Sequence, residues 1–338
     1  MSLANIIRRR LLLLILVVFG VTLVTFAISH MIPGDPARMM AGERASDEIV
    51  EKMRENLGLN KPVAVQYAIY VGQIARGDFG TSIRTQRPVI SDIKKFFPAT
   101  IELALAAMLF AIIVGVPLGV ISAVSKDRLI DHLSRSISVV GISTPAFWLG
   151  LLMILVFYGQ LGILPGSGRI DGVIGPPTTI TGFYTIDAAL TGNWPAFKSA
   201  VQHLILPGLT LGFLHLGVVT RQIRSAMLEV MSEDYVRTAR ASGLSRRQII
   251  YGHALRNALI PSITMIGLAF GDLLYGAVLT ETVFAWPGMG AYVVQSISSL
   301  DFPAIMAFTV VASTAYVLIN LFVDLIYMVL DPQIREVG

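Results

Sequence analysis

The chain has 338 residues and a formal net charge of +4, and 54% of its residues are hydrophobic while only 14% are charged. Because a soluble domain carries about 25% charged residues, this composition excludes an ordinary soluble protein and indicates a membrane protein. The absence of cysteine excludes disulfides, zinc–thiolate sites and iron–sulfur clusters. The five histidines lack metal-ligand spacing, so no metal site is predicted.

Six stretches are apolar enough, and long enough at about 1.5 Å per residue, to cross a bilayer. They are residues 11–30, 98–124, 136–159, 204–227, 259–284 and 305–329. The first follows Arg8–Arg10, but its uncharged run of 19 residues exceeds the core of a secretory signal, and no cleavage site closes it. We therefore expect a retained span. The prolines at positions 117, 145, 207 and 261 predict ordinary kinks in the spans.

The distribution of lysine and arginine predicts the orientation. Three arginines precede the first span, three basic residues lie in the 125–135 loop, and seven lie between Arg221 and Arg256. On the other side, residues 160–203 contain two basic residues and residues 285–304 contain none. Both termini are therefore predicted to be cytoplasmic, and the fold is predicted to be an all-α bundle of six transmembrane helices.

The connection after the first span is long enough to hold structure of its own. Ser46 is a predicted cap for a helix that runs to about Asn56 and stops at Gly58. Pro62 opens a second predicted helix, which ends at about Arg76. We expect these helices to lie over the outer mouth of the bundle. The predicted organisation is a cytoplasmic N-terminus with the first span (1–30), a periplasmic helical segment (31–97) and a core of five spans (98–338).

The cytoplasmic loop of residues 228–258 is predicted to form two short helices. Ser232 is the predicted cap of the first, and Glu233 and Asp234 in its first turn can each pair with Arg237. Gly243 ends this helix as a left-handed cap. The second helix starts with a capping box made by Ser245 and Gln248. The helices and their connection lie at residues 232–258.

This loop carries residues suited to contact with another protein. The small residues Ala239, Ala241 and Ser242 lie along one side, where a second protein could approach closely. The arginines could bind its carboxylates. The alternative is a positively charged loop that only fixes the topology.

Residues 232–261, SEDYVRTARASGLSRRQIIYGHALRNALIP, resemble the loop that permease subunits of ABC importers insert into their ATPase. The family pattern is E-A-A, three residues, G, nine residues, then I-x-L-P. Gly243 takes the glycine position, Arg237–Ala239 replaces E-A-A, and His253–Arg256 replaces I-x-L-P. This variant, without the usual glutamate and proline, is similar to the peptide and nickel importer branch.

Four further segments resemble the permease B subunit of dipeptide and oligopeptide importers, and within that family the chain is most similar to the D,D-dipeptide permeases. These segments are Ile32–Arg38, Gly141–Gly150, Leu279–Gly290 and Asp331–Arg335. The resemblance implies a type I ABC importer permease fold in the bacterial cytoplasmic (inner) membrane, in contact with lipid. The partners it implies are a second homologous permease in a heterodimer, two ABC ATPase subunits and a periplasmic peptide-binding protein.

The resemblance also assigns the ATPase-coupling residues. They are Glu233, Asp234, Tyr235, Arg237, Thr238, Ala239, Arg240, Ala241, Gly243 and Leu244. The sequence has no G-x-x-x-x-G-K-[ST] phosphate loop, so the chain is not expected to hydrolyse ATP or to hold a catalytic residue or cofactor. ATP and magnesium are expected in the partner ATPase subunits, and no nucleic-acid partner is expected.

Ionisable residues inside spans are candidates for a solute pathway, because a charge in lipid costs at least ~2.5 kcal/mol. Span five offers Asp272, Tyr275 on roughly the same face, and Glu281 near the outer end. Either carboxylate could pair with the ammonium group of a peptide. Alternatively, each could lock span five to a neighbour, or Glu281 could lie at the wet interface. Asp324 in span six is predicted to hold an inter-helix bond.

Two tryptophans and one histidine lead to weaker predictions. Trp286 is expected at the outer membrane interface and Trp148 between helices. His215 near Thr210 or Thr220 would be the best pair for a membrane-embedded hydrolase, and it is a poor one. A second alternative is a transporter driven by an ion gradient, although no inverted repeat is apparent. Among substrates dipeptides lead, with oligopeptides, glutathione-like peptides, opines and chelated nickel left open.

Overall fold

The computed structural model describes residues 3–31, 36–41, 45–56 and 58–330. Part of the motif Ile32–Arg38 and all of Asp331–Arg335 lie outside these ranges. The helices within them, in chain order, are α1 (Leu3–Met31), α2 (Pro36–Ala41), α3 (Asp47–Asn56), α4 (Val63–Ala75), α5 (Val89–Val124), α6 (Leu129–Ser143), α7 (Ala146–Met153), α8 (Tyr184–Leu190), α9 (Trp194–Val230), α10 (Asp234–Ala241), α11 (Leu255–Val283), α12 (Met289–Ser298) and α13 (Phe302–Leu330). Two π-helical segments, Ile154–Gln160 and Gln248–Ala254, follow α7 and precede α11.

Within the described ranges, five helices are long and apolar enough to cross a membrane. They are Arg8–Met31, Val89–Val124, Trp194–Val230, Gln248–Val283 and Phe302–Ile326. The predicted third span, residues 136–159, is instead two helices, Leu129–Ser143 and Ala146–Gln160, which meet at a bend of 104°. Counting this pair as one broken span gives the predicted six.

The bend follows from the proline at its centre. A proline disfavours the helical conformation of the residue before it. Thr144 is accordingly extended, at φ −85° and ψ 125°, and Pro145 follows at φ −62° and ψ 130°. The expectation of an ordinary kink at Pro145 was therefore wrong. Helices α5, α9 and α11 continue through their prolines, as predicted.

The chain divides into two compact units, and the larger one contains, within the described ranges, residues 3–7, 98–291 and 318–330. Helix α9 packs against α6 and α11 in this unit. A side chain at Gly212 would overlap the carbonyl oxygen of Ala107, and one at Gly217 would overlap that of Ser138. Small residues therefore let the helix backbones approach closely, as is usual between membrane helices.

A buried carboxylate joins three helices of the larger unit at their cytoplasmic ends. Asp131, at the start of α6, has no exposed surface. Its oxygens accept hydrogen bonds from Ser122 Oγ (2.6 Å) and the Asp127 backbone amide (2.9 Å). Arg224 of α9 donates from Nε (2.7 Å) and Nη2 (2.8 Å), a bidentate geometry that fixes orientation. In the sequence, Arg224 is one of the seven basic residues that predict the orientation, and no partner was predicted for it.

The smaller unit contains Arg8–Phe97 and Tyr292–Val317. The two helices predicted after the first span are both present, as α3 and α4. The amides of Ile49 and Val50 donate to the Ser46 carbonyl at the start of α3, and Gly58 has the predicted left-handed φ of +67°. Pro62 directly precedes α4. The two predicted helices and the left-handed Gly58 are confirmed, while a side-chain cap by Ser46 stays a prediction.

Candidate functional site

Helix α10 is an exposed cytoplasmic helix with one buried face. Val236 and Ala239, three residues apart, pack against Ile249 of the π-helical segment, and Met231 covers the same cluster. Residues at this spacing share a helix face. The prediction that Ala239 lies on the open side was therefore wrong, since its side chain is 9% exposed.

The other predicted coupling residues form the open surface of the loop. All of them are exposed: Glu233, Asp234, Tyr235, Arg237, Thr238, Arg240, Ala241, Gly243 and Leu244. Arg237 Nη1 pairs with Asp234 Oδ1 at 3.0 Å, and within the described residues it forms no pair with Glu233. Because both partners are solvated, this pair contributes at most about 1 kcal/mol. The surface is therefore free to form new contacts.

The start of α10 differs from the prediction in one respect. Glu233, in extended conformation, precedes the first helical residue, and no side chain caps the helix there. Ser232, the predicted cap, instead donates its hydroxyl to the Glu229 carbonyl at 2.7 Å. The predicted cap was wrong because this hydroxyl closes the end of α9.

The end of α10 and the next helix follow the predicted local signals. Gly243 has a φ of +80°, and its amide donates to the Arg240 carbonyl at 3.1 Å. The amide of Ser245 donates to Gln248 Oε1 (3.0 Å), and the amide of Gln248 donates to Ser245 Oγ (3.4 Å). This reciprocal pair is the predicted capping box. The helix that it starts passes through the π-helical segment into α11.

Two side-chain bonds that the sequence did not indicate attach this loop to the spans. Asn257 Nδ2, near the start of α11, donates to Tyr235 Oη at 2.7 Å. Arg246 Nη2 donates to the Val124 carbonyl at the end of α5, at 3.4 Å. The open helix α10 is thereby linked to α11 by a side chain as well as by the chain itself.

Helix α11 has an exposed face that carries a carboxylate. Asp272 and Tyr275 are both exposed on it. Leu268 (37% exposed) and Leu279 (55% exposed) lie four residues before and after them on the same side. Within the described part of the chain, Asp272 accepts no hydrogen bond and forms no ion pair, although its charge acts on His215 of α9. The two residues predicted for a pathway are thus together on one face.

Glu281 lies in a different environment and has no exposed surface. Thr100 Oγ1 donates to its Oε1 (2.6 Å), and the Ala291 amide donates to its Oε2 (2.9 Å). A side chain at Gly288 or Gly290 would overlap the carboxylate, so both glycines allow this approach. The structure favours the alternative expectation of a lock between helices, and a pathway role would require these bonds to open.

The two tryptophans differ from expectation. Trp286 is 1% exposed and donates from Nε1 to the Ala99 carbonyl at 2.9 Å. Its expected place at the membrane interface was wrong, because the turn after α11 folds back onto the start of α5's apolar part. Trp148 was expected between helices but is 50% exposed on this chain.

The hydrolase alternative gains no support from the geometry. Among the described residues, His215 Nδ1 and the hydroxyls of Thr210 and Thr220 are buried without a hydrogen-bond partner. No nucleophile–base pair is therefore formed there. No group of three or more His, Asp or Glu side chains in the described ranges could hold a metal ion.

A buried ion pair between Arg169 and Glu102 was not predicted from the sequence. Arg169 Nε donates to Glu102 Oε2 at 2.9 Å, and the Thr185 amide donates to Glu102 Oε1 at 2.9 Å. The guanidinium also lies 3.8 Å from the ring centroid of Tyr184. These contacts fasten the outer loop to α5. A glutamate inside the predicted span 98–124 was the signal, because charges inside spans need partners.

Two family models match the chain. The model for a binding-protein-dependent transport system inner membrane component matches residues 115–336. The model for the N-terminal part of a binding-protein-dependent transport system membrane component matches residues 3–104.

Curated relatives match along the whole chain. The chain is 62% identical over 338 residues to the probable D,D-dipeptide transport system permease protein DdpB of Escherichia coli (strain K12). This match covers 100% of this chain and 99% of the relative. The chain is 47% identical to the dipeptide transport system permease protein DppB of Alkalihalophilus pseudofirmus, over 97% of this chain and 98% of the relative. It is also 47% identical to the di/tripeptide transport system permease protein DppB of Pseudomonas aeruginosa, over 98% of each.

A solved structure shares the fold. A chain of the MetNI methionine ABC transporter, in an inward-facing conformation, superposes with a TM-score of 0.52 at 16% identity, over 69% of this chain and 93% of that chain. At this identity the similarity shows the fold alone, which is that of a type I ABC importer permease. Together with the family models, it establishes that this chain belongs to the inner membrane components of binding-protein-dependent transport systems, the permease subunits of ABC importers.

Proposed function

We propose that this permease imports dipeptides, and D,D-dipeptides in particular. The observation that carries the substrate class is the 62% identity, over the full chain, to a probable D,D-dipeptide permease. Permeases of this family translocate solute, a binding protein delivers it, and separate ATPase subunits hydrolyse ATP. An ion-gradient-driven transporter is therefore no longer the alternative.

The complex that we propose contains this chain, a second homologous permease and two ATPase subunits, which hold ATP and magnesium. The exposed face of α11 is evidence for the proposed second permease. A carboxylate such as Asp272 costs at least ~2.5 kcal/mol in lipid. Because Asp272 is exposed and accepts no hydrogen bond within the described residues, its face is better suited to a partner helix or a wet pathway.

In the proposed pathway, Asp272 and Tyr275 meet the passing peptide. A dipeptide is a zwitterion, and its ammonium group needs an anionic or polar partner when it leaves water. A carboxylate can supply that partner, and the phenol of Tyr275 can bond to the peptide carbonyl or carboxylate. Because a binding protein delivers the solute, the pathway itself can bind weakly. Glu281 would hold the outer end of α11 in place.

In the proposed coupling step, each permease docks one ATPase through the exposed surface of α10 and its flanking residues, Glu233 to Leu244. Arginines on this surface, Arg237 and Arg240, suit carboxylates on the ATPase. Movement of a docked ATPase would reach α11 along two connections. One is the chain through Gly243, and the other is the bond between Tyr235 and Asn257.

The deciding experiment is ATP hydrolysis by the complex reconstituted in lipid with its binding protein. The solutes compared would be a D,D-dipeptide, the matching L,L-dipeptide, a five-residue peptide and a nickel chelate. We expect the D,D-dipeptide to stimulate hydrolysis and to accumulate inside the vesicles. Stimulation by the L,L-dipeptide alone would show that the substrates are L,L-dipeptides and not D,D-dipeptides. A complex that assembles but responds to no peptide would overturn the peptide proposal.

A further inference from the structure

Helix α4 is an apolar helix that the rest of the chain covers only in part. Its 13 residues include no buried residue. Val63 is 60% exposed and Val65 is 42% exposed. A helix in water normally buries its apolar side, so this exposure needs a cause. The basic residues Lys61 and Arg76 stand just outside its two ends.

The contacts of α4 with α1 place it beside the outer half of the first span. Gln66 Oε1 lies 3.0 Å from His30 Nε2, near the outer end of α1. Tyr67 Oη lies 3.0 Å from Thr22 Oγ1 and donates to the Phe19 carbonyl at 3.3 Å. Adjacent side chains of α4 thus reach toward opposite ends of the outer half of α1.

These contacts fix the position of α4 along α1. The ring of Tyr67 lies 5.3 Å from that of Phe26, which is between the two contacts. At about 1.5 Å per residue, Phe26 lies about 8 Å below Met31, the outer end of α1. Only 11% of the most apolar stretch of α1 is buried by the rest of the chain, which leaves most of α1 open to lipid. A helix at this depth meets the boundary between headgroups and acyl chains.

The length of α4 decides how it can lie there. Thirteen residues measure about 20 Å, which is too short to cross an apolar layer of about 30 Å. A short apolar helix with basic residues at both ends can lie in the plane of the interface, with its ends among the headgroups. This arrangement explains both the exposure of α4 and its contacts with α1.

The periodicity of α4 indicates which side meets the acyl chains. Each residue turns the helix by about 100°. Gln66 points toward the outer end of α1 and Tyr67 toward its middle. Gln73 lies on the same side of the helix as Gln66. Ala68, five residues before Gln73, is turned about 140° from it, toward the bilayer. Both are exposed on the chain.

We propose that α4 is an in-plane membrane helix in the outer leaflet, with the side of Ala68 against lipid acyl chains and the side of Gln73 toward water. The segment 31–97, expected from the sequence to be a periplasmic cover, would then be partly embedded. Its lipid surface would continue the lipid-facing surface of α1. Helix α4 would also hold the following segment at the membrane surface.

Because this chain has no cysteine, a variant with one introduced cysteine can be spin-labelled at that position before it is combined with the other subunits. Cysteine would replace Ala68 and Gln73 in turn, in the assembled importer in lipid nanodiscs. The measurement is the collision rate of each label with oxygen, which is concentrated in the bilayer, and with a water-soluble nickel chelate. The reference positions are Leu16, 67% exposed on α1, and Val173, 96% exposed in an outer loop.

We expect the oxygen-to-nickel ratio at Ala68 to resemble that at Leu16 and to exceed the ratio at Gln73 several-fold. The ratio at Gln73 should resemble that at Val173. A ratio at Ala68 equal to that at Val173 would place α4 in water and overturn the proposal. A label at Ala68 that neither reagent reaches would also overturn it, because protein would then cover this side.

Discussion

Among individual residues, the buried carboxylates of the larger unit differ from Asp272 in their partners. Those with at most 5% exposure are Glu102, Asp131, Asp187 and Glu281. Each accepts two or more hydrogen bonds, as a buried charge requires. Asp272 is exposed and accepts none within the described residues. This contrast favours structural roles for the buried group and supports the pathway role proposed for Asp272.

The carboxylate of Asp187 holds the outer loop before α8. It accepts hydrogen bonds from the Thr181 amide (2.8 Å) and hydroxyl (2.7 Å), and from the Ile180 and Gly182 amides. Burial alone would raise the pKa of Asp187, but these hydrogen bonds outweigh it and hold the pKa below its ordinary value. The charged form is therefore favoured by folding.

We predict that Asp187→Asn lowers stability at neutral pH by about 1–3 kcal/mol, because the amide cannot accept all these bonds. A group with a lowered pKa contributes stability above its unfolded pKa of about 3.9 and loses it as pH falls through the folded value. The unfolding temperature of the detergent-solubilised complex should therefore fall less steeply in the variant than in the parent as the pH is lowered below about 4. Asp171→Asn, at an exposed carboxylate of the same loop, is the control. Equal acid dependence in parent and Asp187→Asn would contradict the argument.

For Asp272, we predict that Asp272→Asn lowers transport about tenfold or more, as expected for the loss of a charged hydrogen bond worth about 1.5–3 kcal/mol. Because asparagine has nearly the same size and shape as aspartate, assembly with the second permease and basal ATP hydrolysis should be unchanged. The comparison variant is Glu281→Gln, which should lower assembly instead, since one amide oxygen cannot accept from both Thr100 and the Ala291 amide. Peptide uptake and subunit copurification measure the two effects. Normal uptake by Asp272→Asn would remove Asp272 from the pathway.

Among the elements, α10 depends on the glycine that ends it. Gly243 has a φ of +80°, and a Cβ built there meets nothing within 4 Å. Gly243→Ala should therefore act only through backbone strain, about 1–2 kcal/mol for an L-residue in this conformation. We predict about tenfold weaker binding of the ATPase subunit, measured by titration into permease nanodiscs.

The matched control for this variant is Gly252→Ala in the same loop. A Cβ at Gly252 also meets nothing within 4 Å, but its φ is not positive. Alanine is favoured over glycine inside a helix, so this change should leave ATPase binding intact. Equal losses in the two variants would show that added volume, and not the turn geometry, matters.

The elements also show how far the sequence could go. Span positions, the left-handed Gly243 and the capping box at Ser245 depend on neighbours within a few residues, and all were predicted. The lock at Glu281 depends on Thr100, 181 residues away in the chain, so no local pattern could reveal it. Trp286 was misplaced for the same reason. The sharp bend at Pro145 was underestimated because the pattern of apolar residues is the same in a kinked and a broken span.

Over the whole molecule, coupling requires a rigid connection from the cytoplasmic surface to the spans. Helix α10 is anchored by only a small cluster, Val236, Ala239 and Ile249, so it needs further ties to move α11 with it. The bond from Asn257 to Tyr235 is such a tie, at 2.7 Å between two different elements. Asn257 lies on the same helix as Asp272. In the proposed coupling, a displacement of α10 would reach the exposed face of α11 through this bond.

We predict that Tyr235→Phe lowers the amount of peptide imported per ATP hydrolysed, because it removes the hydroxyl but keeps the ring. The measurement is simultaneous peptide uptake and phosphate release in proteoliposomes. Asn257→Ala should lower the ratio similarly, and the double variant should be no worse than either, since both lose one bond. Tyr251→Phe, at a 55% exposed tyrosine of the same loop, should keep the parental ratio. If Tyr235→Phe keeps that ratio too, the backbone through Gly243 carries the coupling alone. A fall in ATP hydrolysis at constant ratio would instead assign Tyr235 to ATPase docking.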